Sequence, residues 1–247
     1  MASSIDAVTA SFATSLALAG EDVVDISRLH GSAPQRISQS LLLAKPLTAK
    51  PFATSDLQRH FQRVWVLDSR FKVQERAHKN FVFAFDLRKD RNRVLWGGPW
   101  YFNRTPMIIQ EYDGLMAPGA LKMDSLFFWV RIENIPPALE VKQTIINVAS
   151  VAGKFLDIDK KLFDNTGNIR VRVSHEISRP FFLKRTLKLA PGIVEEISYF
   201  FENLNGVCQM CHLILHENGT CRMAAQSDLL QDEQMKEGTK LDLPNPF

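Results

Sequence analysis

The sequence predicts an α+β fold, arranged as two successive mixed modules and a short cysteine-bearing segment. Three observations carry this. Runs with period-two alternation, Phe81-Val82-Phe83-Ala84-Phe85 and Ile169 to Ile177, are interleaved with stretches of helical periodicity. Apolar residues make up 45% of the 247 residues and include 17 Phe, enough to build packed cores. All three Cys fall within fourteen residues toward the C-terminal end.

The elements follow in chain order. Residues 1–38 lack sustained periodicity and are broken by Gly31, Ser32 and Pro34, so they predict a disordered arm. Leu41-Leu42-Leu43 reads as a buried strand ended by Pro46. Thr54 or Ser55 can cap a helix to about Trp65, with Leu57, Phe61, Val64 and Trp65 on one face. Val66 to Glu75 and Phe81 to Phe85 read as strands. Asp86 is placed to cap a second helix, which Gly97-Gly98-Pro99 stops. Met107-Ile108-Ile109 is a last strand. The order β-α-β-β-α-β over residues 39–113 is that of a split-βαβ sandwich, the order RRM domains use.

Asp113 to Asp124 reads as a linker. Residues 125–204 then form a smaller α+β module. Its signals are a strand at Phe127 to Ile132, a helix through Ile145, Val148, Ala149 and Ala152, and a short strand at Phe155 to Ile158. A turn at Asn165 to Asn168 and the strand Ile169 to Ile177 follow. Residues 223–247 are polar and predict a disordered tail.

No run approaches the ~20 apolar residues that cross a bilayer. Met1 to Gly20 lacks the basic start and compact apolar core of a secretory signal. The expectation is a chain of the nucleus or cytoplasm, not bound to membrane. In that reducing compartment, three clustered Cys point to metal rather than disulfides.

Cys208, Cys211, His216 and Cys221 stand at C-x2-C-x4-H-x4-C spacing. Cys3His is a structural zinc set, and a fourteen-residue loop cannot build a core without its ion. Residues 205–222 therefore read as a zinc knuckle. His212 adjoins Cys211, and neighbours point apart, so His216 is the better ligand. A zinc deaminase would need H-x-E and P-C-x-x-C, which are absent, and a four-ligand site has no open position for hydrolysis. Phosphate-loop, dinucleotide, serine-hydrolase and zincin motifs are absent too. The expectation is a protein that is not an enzyme.

Knuckles of this kind recognise unpaired bases. Leu213, Ile214 and Leu215 are expected to form an exposed apolar platform for a base. Retroviral-type knuckles place an aromatic after the first Cys and a Gly after the second, where this chain has Gln209 and His212. A basic strip offers phosphate contacts. Arg170, Arg172, Arg179, Lys184, Arg185 and Lys188 lie within nineteen residues, with Glu176 the one acid among them. Arg170, Arg172, Lys184 and Arg185 are the expected contacts, the first two sharing one strand face. The alternative for the strip is an ordinary solvated face. Phe81, Phe83 and Phe85 could stack bases as in an RRM, but the simpler reading is a core beneath two helices. Net charge is only +3.

Several runs together resemble a family. They are Asp90-Arg91-Asn92-Arg93-Val94-Leu95-Trp96-Gly97-Gly98-Pro99-Trp100, Trp129-Val130-Arg131-Ile132 with Pro136, Gly153-Lys154, Arg170-Val171-Arg172-Val173 and the knuckle. The chain resembles plant proteins in which a domain of unknown function precedes a C-x2-C-x4-H-x4-C zinc knuckle, relatives of LINE-type retrotransposon first open reading frames. The resemblance implies zinc, single-stranded RNA or DNA as partner, and an origin in a mobile element. A protein-interaction adaptor that grips its partner with the knuckle is the rival expectation.

Overall fold

The computed structural model describes residues 40–48, 50–214 and 221. The expected arm at 1–38, the tail at 223–247, and Leu215 and His216 lie outside the described residues.

Two antiparallel five-stranded sheets and four α-helices make up the described fold. The first sheet holds β1 (Leu41–Pro46), β2 (Phe71–Arg76), β3 (Asn80–Phe85), β4 (Trp100–Phe102) and β5 (Thr105–Glu111). Helix α1 (Thr54–Val64) joins β1 to β2, and α2 (Arg88–Gly97) joins β3 to β4. The strand order is β2-β3-β1-β5-β4. The second sheet holds β6 (Ser125–Glu133), β7 (Lys154–Ile158), β8 (Ile169–Glu176), β9 (Lys184–Ala190) and β10 (Ile193–Phe201). Helices α3 (Lys142–Ala152) and α4 (Lys160–Thr166) flank β7. Its order is β7-β8-β6-β10-β9, so each sheet repeats the sequence second, third, first, fifth, fourth. The second sheet has a loop, Ile177 to Leu183, where the first has α2.

Phe81, Phe83 and Phe85 are buried with Leu57 and Phe61 of α1 and Val94 and Leu95 of α2. The three Phe are thus core, and the base-stacking alternative is excluded for them by burial. The alternate residues Leu43, Val82 and Ile108 point to the other face. That face is covered by the connecting segment, since the same buried cluster contains Tyr112 and Met123 with Leu121 against it. The cluster continues into the second sheet through Leu126, Phe128, Val130 and Ile132, over which α3 lays Ile145, Val148, Ala149 and Ala152. This cluster therefore spans both sheets, beside the separate core that α1 and α2 cover on the first.

Asp86 caps nothing. The N-cap of α2 is Leu87, without a side-chain bond. The strand read at Val66 to Glu75 starts only at Phe71, because residues 68 and 69 serve a buried carboxylate instead of a ladder. Asp90, 0% exposed, accepts from the backbone N–H of Asp68 at 3.2 Å and of Ser69 at 2.8 Å, and from the Ser69 hydroxyl at 2.6 Å. Burial pushes the Asp90 carboxyl up, but these donors outweigh it and hold it below the usual carboxylate range.

The C-terminal end of α2 joins the halves. The last carbonyls of a helix have no partner within it. Here side chains supply the donors. Trp100 Nε1–H donates to Val94 O at 2.7 Å and Trp129 Nε1–H to Trp96 O at 3.1 Å. Arg172 donates through Nη2 to Leu95 O at 3.1 Å and through Nη1 to Gly98 O at 2.8 Å. A cation is also favoured at the negative end of the helix dipole. Gly97 and Gly98 let the Trp100 ring lie against the turn, since a Cβ on Gly97 would come within 2.9 Å of it. Gly153 is needed for a similar reason, because a Cβ there would meet Ser174 O at 2.5 Å. The family-like runs of the sequence are thus largely parts of one joint.

Candidate metal centre and its surroundings

The C-terminal segment leaves β10 and folds back on the second sheet. Cys208 N–H donates to Leu213 O at 2.9 Å and His212 N–H to Cys208 O at 3.0 Å, closing a tight loop. Phe181 N–H donates to His212 O at 2.8 Å, which ties the loop to the segment between β8 and β9. Ile214 is 7% exposed and belongs to the core cluster, against which Leu204 and Val207 also pack.

This loop brings the Sγ atoms of Cys208, Cys211 and Cys221 within 4.8 Å of one another. The three thiols could hold a metal ion. Ligand sulfurs about 2.3 Å from a tetrahedral ion stand roughly 3.8 Å apart, so the observed spacing suits one shared ion. The Met210 N–H points at Cys208 Sγ at 3.4 Å, a contact that favours the thiolate. Desolvation, then hydrogen bonding with the Cys221 and Cys208 thiols, pushes the Cys211 thiol above its ordinary value. A cation between them reverses that direction.

His212 is exposed and has φ +58°, in the left-handed region. This is where retroviral-type knuckles carry glycine. His212 serves the loop through its backbone, at a steric cost that glycine avoids. His212→Gly should therefore tighten metal binding about five-fold, equivalent to ~1 kcal/mol, in competition with a chromophoric chelator. A loss of a hundred-fold or more would instead make the His212 imidazole a ligand.

The other expected contacts fall in different places. Arg172 is 1% exposed, held by carbonyls at the end of α2 and by the faces of Trp129 at 5.5 Å and Phe127 at 5.9 Å. Burial, then the neighbouring Arg170, pushes its guanidinium down to about 10, so it is charged at neutral pH. Buried in this joint, it does not follow a phosphate backbone. Arg170 is engaged as well. Its Nε and Nη2 donate to the two carboxylate oxygens of Glu202 at 2.9 and 2.7 Å, and Nη1 donates to Asp159 at 2.9 Å. Glu202 above all raises its guanidinium beyond the ordinary value. Ile214 is core and Leu213 half-buried, so these two do not form the exposed platform expected of them.

Lys184 and Arg185 are exposed. Lys184 pairs with Glu196 at 2.7 Å across β9 and β10, and Arg185 stacks on Phe182 at 4.4 Å. Sequence reading missed Arg131. It pairs with Arg170 across β6 and β8 and lies over Phe200 at 4.3 Å, and Phe200 is 51% exposed. The signal for it was the β10 run Ile193 to Phe201, not read as a strand, which sets Phe200 opposite Arg131. Lys184 shares the Phe200 face through its pairing with Ser198.

Residues 38–118 match the sequence model of a family described as Domain of unknown function (DUF4283). That match spans the first sheet and the start of the covering segment. The chain is also 25% identical over 132 residues to the Uncharacterized protein At4g02000 of Arabidopsis thaliana, a match covering 52% of this chain and 41% of the relative. The chain thus aligns with about two fifths of that relative's length. Among the described residues, no helix is long and apolar enough to cross a membrane.

Proposed function

We propose that this chain is a non-enzymatic, zinc-dependent binder of single-stranded RNA or DNA, of retrotransposon-derived type, acting in the nucleus or cytoplasm. The observation that carries the reading is the convergence of the Cys208, Cys211 and Cys221 thiols on one point of a loop anchored to the second sheet. Zinc is the ion this donor set suits best, with His216 completing it. Its chemistry here is structural, fixing the loop. The first sheet, in which β5, β1, β3 and β2 stand side by side, supports reading it as an RRM-like sandwich.

The strand follows Arg131 and Lys184 on the Phe200 face, where the ring is offered to a base, and turns round the β9 edge to Arg185 on the opposite face. The test is the salt dependence of binding to a fluorescent 20-nucleotide single-stranded RNA. Lys184→Glu/Arg185→Glu should make the slope of log K against log salt shallower by about 1.4, two phosphate contacts at ~0.7 each. An unchanged slope removes both residues from the interface. The second reading, a protein-interaction adaptor, is favoured by the exposure of Leu183 and of Met210 in the cysteine loop, 69% and 51%. Binding of that kind is insensitive to salt.

A further inference from the structure

A groove of about 440 Å³ opens at the joint between the two sheets. Trp96 and Leu156 form its outer walls, with exposures of 42% and 39%. Phe127 and the buried guanidinium of Arg172 close its inner side. Gln110 and Glu111, from the end of β5, stand at its rim. Arg91 Nη2 pairs with Glu111 Oε1 at 2.9 Å, and Arg91 is itself almost buried, so that carboxylate is anchored in place.

The lining is selective in its chemistry. Flat apolar walls with aromatic rings suit a planar guest. A carboxylate accepts adjacent N–H donors, and the Gln110 amide donates to a carbonyl oxygen. Among unpaired bases, guanine carries two neighbouring donors and a carbonyl on one edge. Adenine has one donor there, and pyrimidines offer less surface for stacking. The backbone carbonyl of Trp96 accepts from Trp129, and its side chain, 42% exposed, lines the groove.

We propose that this groove receives one unpaired base of the bound strand, guanine before the others, its face on Trp96 and its edge on Glu111 and Gln110. The inference rests on the nucleic-acid reading above and adds to it a second contact point, away from the cysteine loop.

The experiment compares four single-stranded RNA nonamers, U9 and U9 with its central base changed to G, A or C, by anisotropy on the zinc-loaded full chain. The nonamer with central G should bind about ten-fold tighter than U9, within the range that one stacked and hydrogen-bonded base supplies. Trp96→Ala should bring the central-G nonamer down to the affinity of U9. Glu111→Gln should narrow the gap between G and A. Equal affinity for all four in the native protein, or a G advantage untouched by Trp96→Ala, overturns the groove proposal alone. If none of the nonamers binds at low salt, the nucleic-acid reading falls and this proposal with it.

Discussion

Arg172→Met is expected to lower the free energy of unfolding by about 3 kcal/mol. The side chain is 1% exposed and donates to Leu95 O and Gly98 O across the joint between the sheets. Hydrogen bonds from a charged donor contribute roughly 1.5–3 kcal/mol each, and methionine leaves both carbonyls buried without that donor. The apolar stem of methionine refills most of the volume, so the loss reports the guanidinium and not a cavity. In urea, with a slope near 2–3 kcal/mol per molar, the midpoint should drop by roughly 1 M. Arg172→Lys should recover less than half of the loss, because an ammonium cannot span two carbonyls as a planar fork does. Arg131→Met is the control. Its guanidinium lies over Phe200 on an exposed face, where such a contact is worth about 0.5–1 kcal/mol. Equal midpoints for native protein and Arg172→Met would refute the role of Arg172 in the joint.

The second large effect concerns the cysteine loop. Cys208→Ser/Cys211→Ser should take bound zinc from one ion per chain to none. Structural zinc supplies roughly 10–16 kcal/mol of binding free energy in comparable peptides, and the loop has no core of its own. Its hold on the sheet is Ile214 in the shared core and the bond from Phe181 N–H to His212 O. Hydrogen exchange at the Phe181 and Cys208 amides reads the outcome directly. Both should lose protection in the double variant, while amides of the first sheet keep theirs. Unchanged protection at Phe181 after metal removal would mean that the loop folds without its ion.

Much of this was legible in the chain, for reasons that differ by element. The strands β3 and β8 carry apolar alternation, and β1 and β6 continuous apolar runs, strong enough to locate them. The three Phe of β3 were correctly weighed toward core, because a strand under two helices needs that much apolar surface. The missed elements lack such a pattern. The β4–β5 hairpin turns at Asn103-Arg104, both with positive φ and neither a glycine, so Asn103 alone is a weak turn signal. The β9–β10 hairpin has a usable signal in Pro191-Gly192, but its strands expose one face, and Lys and Glu break the alternation. The repeat of strand order between the two sheets leaves no trace, since backbone order does not require matching side chains.

The candidate site was legible where covalent spacing decides and misread where tertiary contacts decide. The spacing of the three Cys brought them together. Alternation rightly put Arg170 and Arg172 on one face, yet only the fold reveals that α2 covers that face and that Glu202 and Asp159 engage Arg170. Arg131 was hidden for the opposite reason, since its partner Phe200 comes from a strand that was not read.

The most direct test of the central claim is anisotropy with a labelled single-stranded RNA, comparing native protein with Cys208→Ser/Cys211→Ser across a salt series, with bound zinc assayed in parallel. The account predicts one zinc per native chain, binding that weakens steeply with salt, and loss of both in the double variant. A zinc-loaded native chain that binds neither RNA nor DNA at low salt would contradict it and leave the cysteine loop as a structural or protein-docking element.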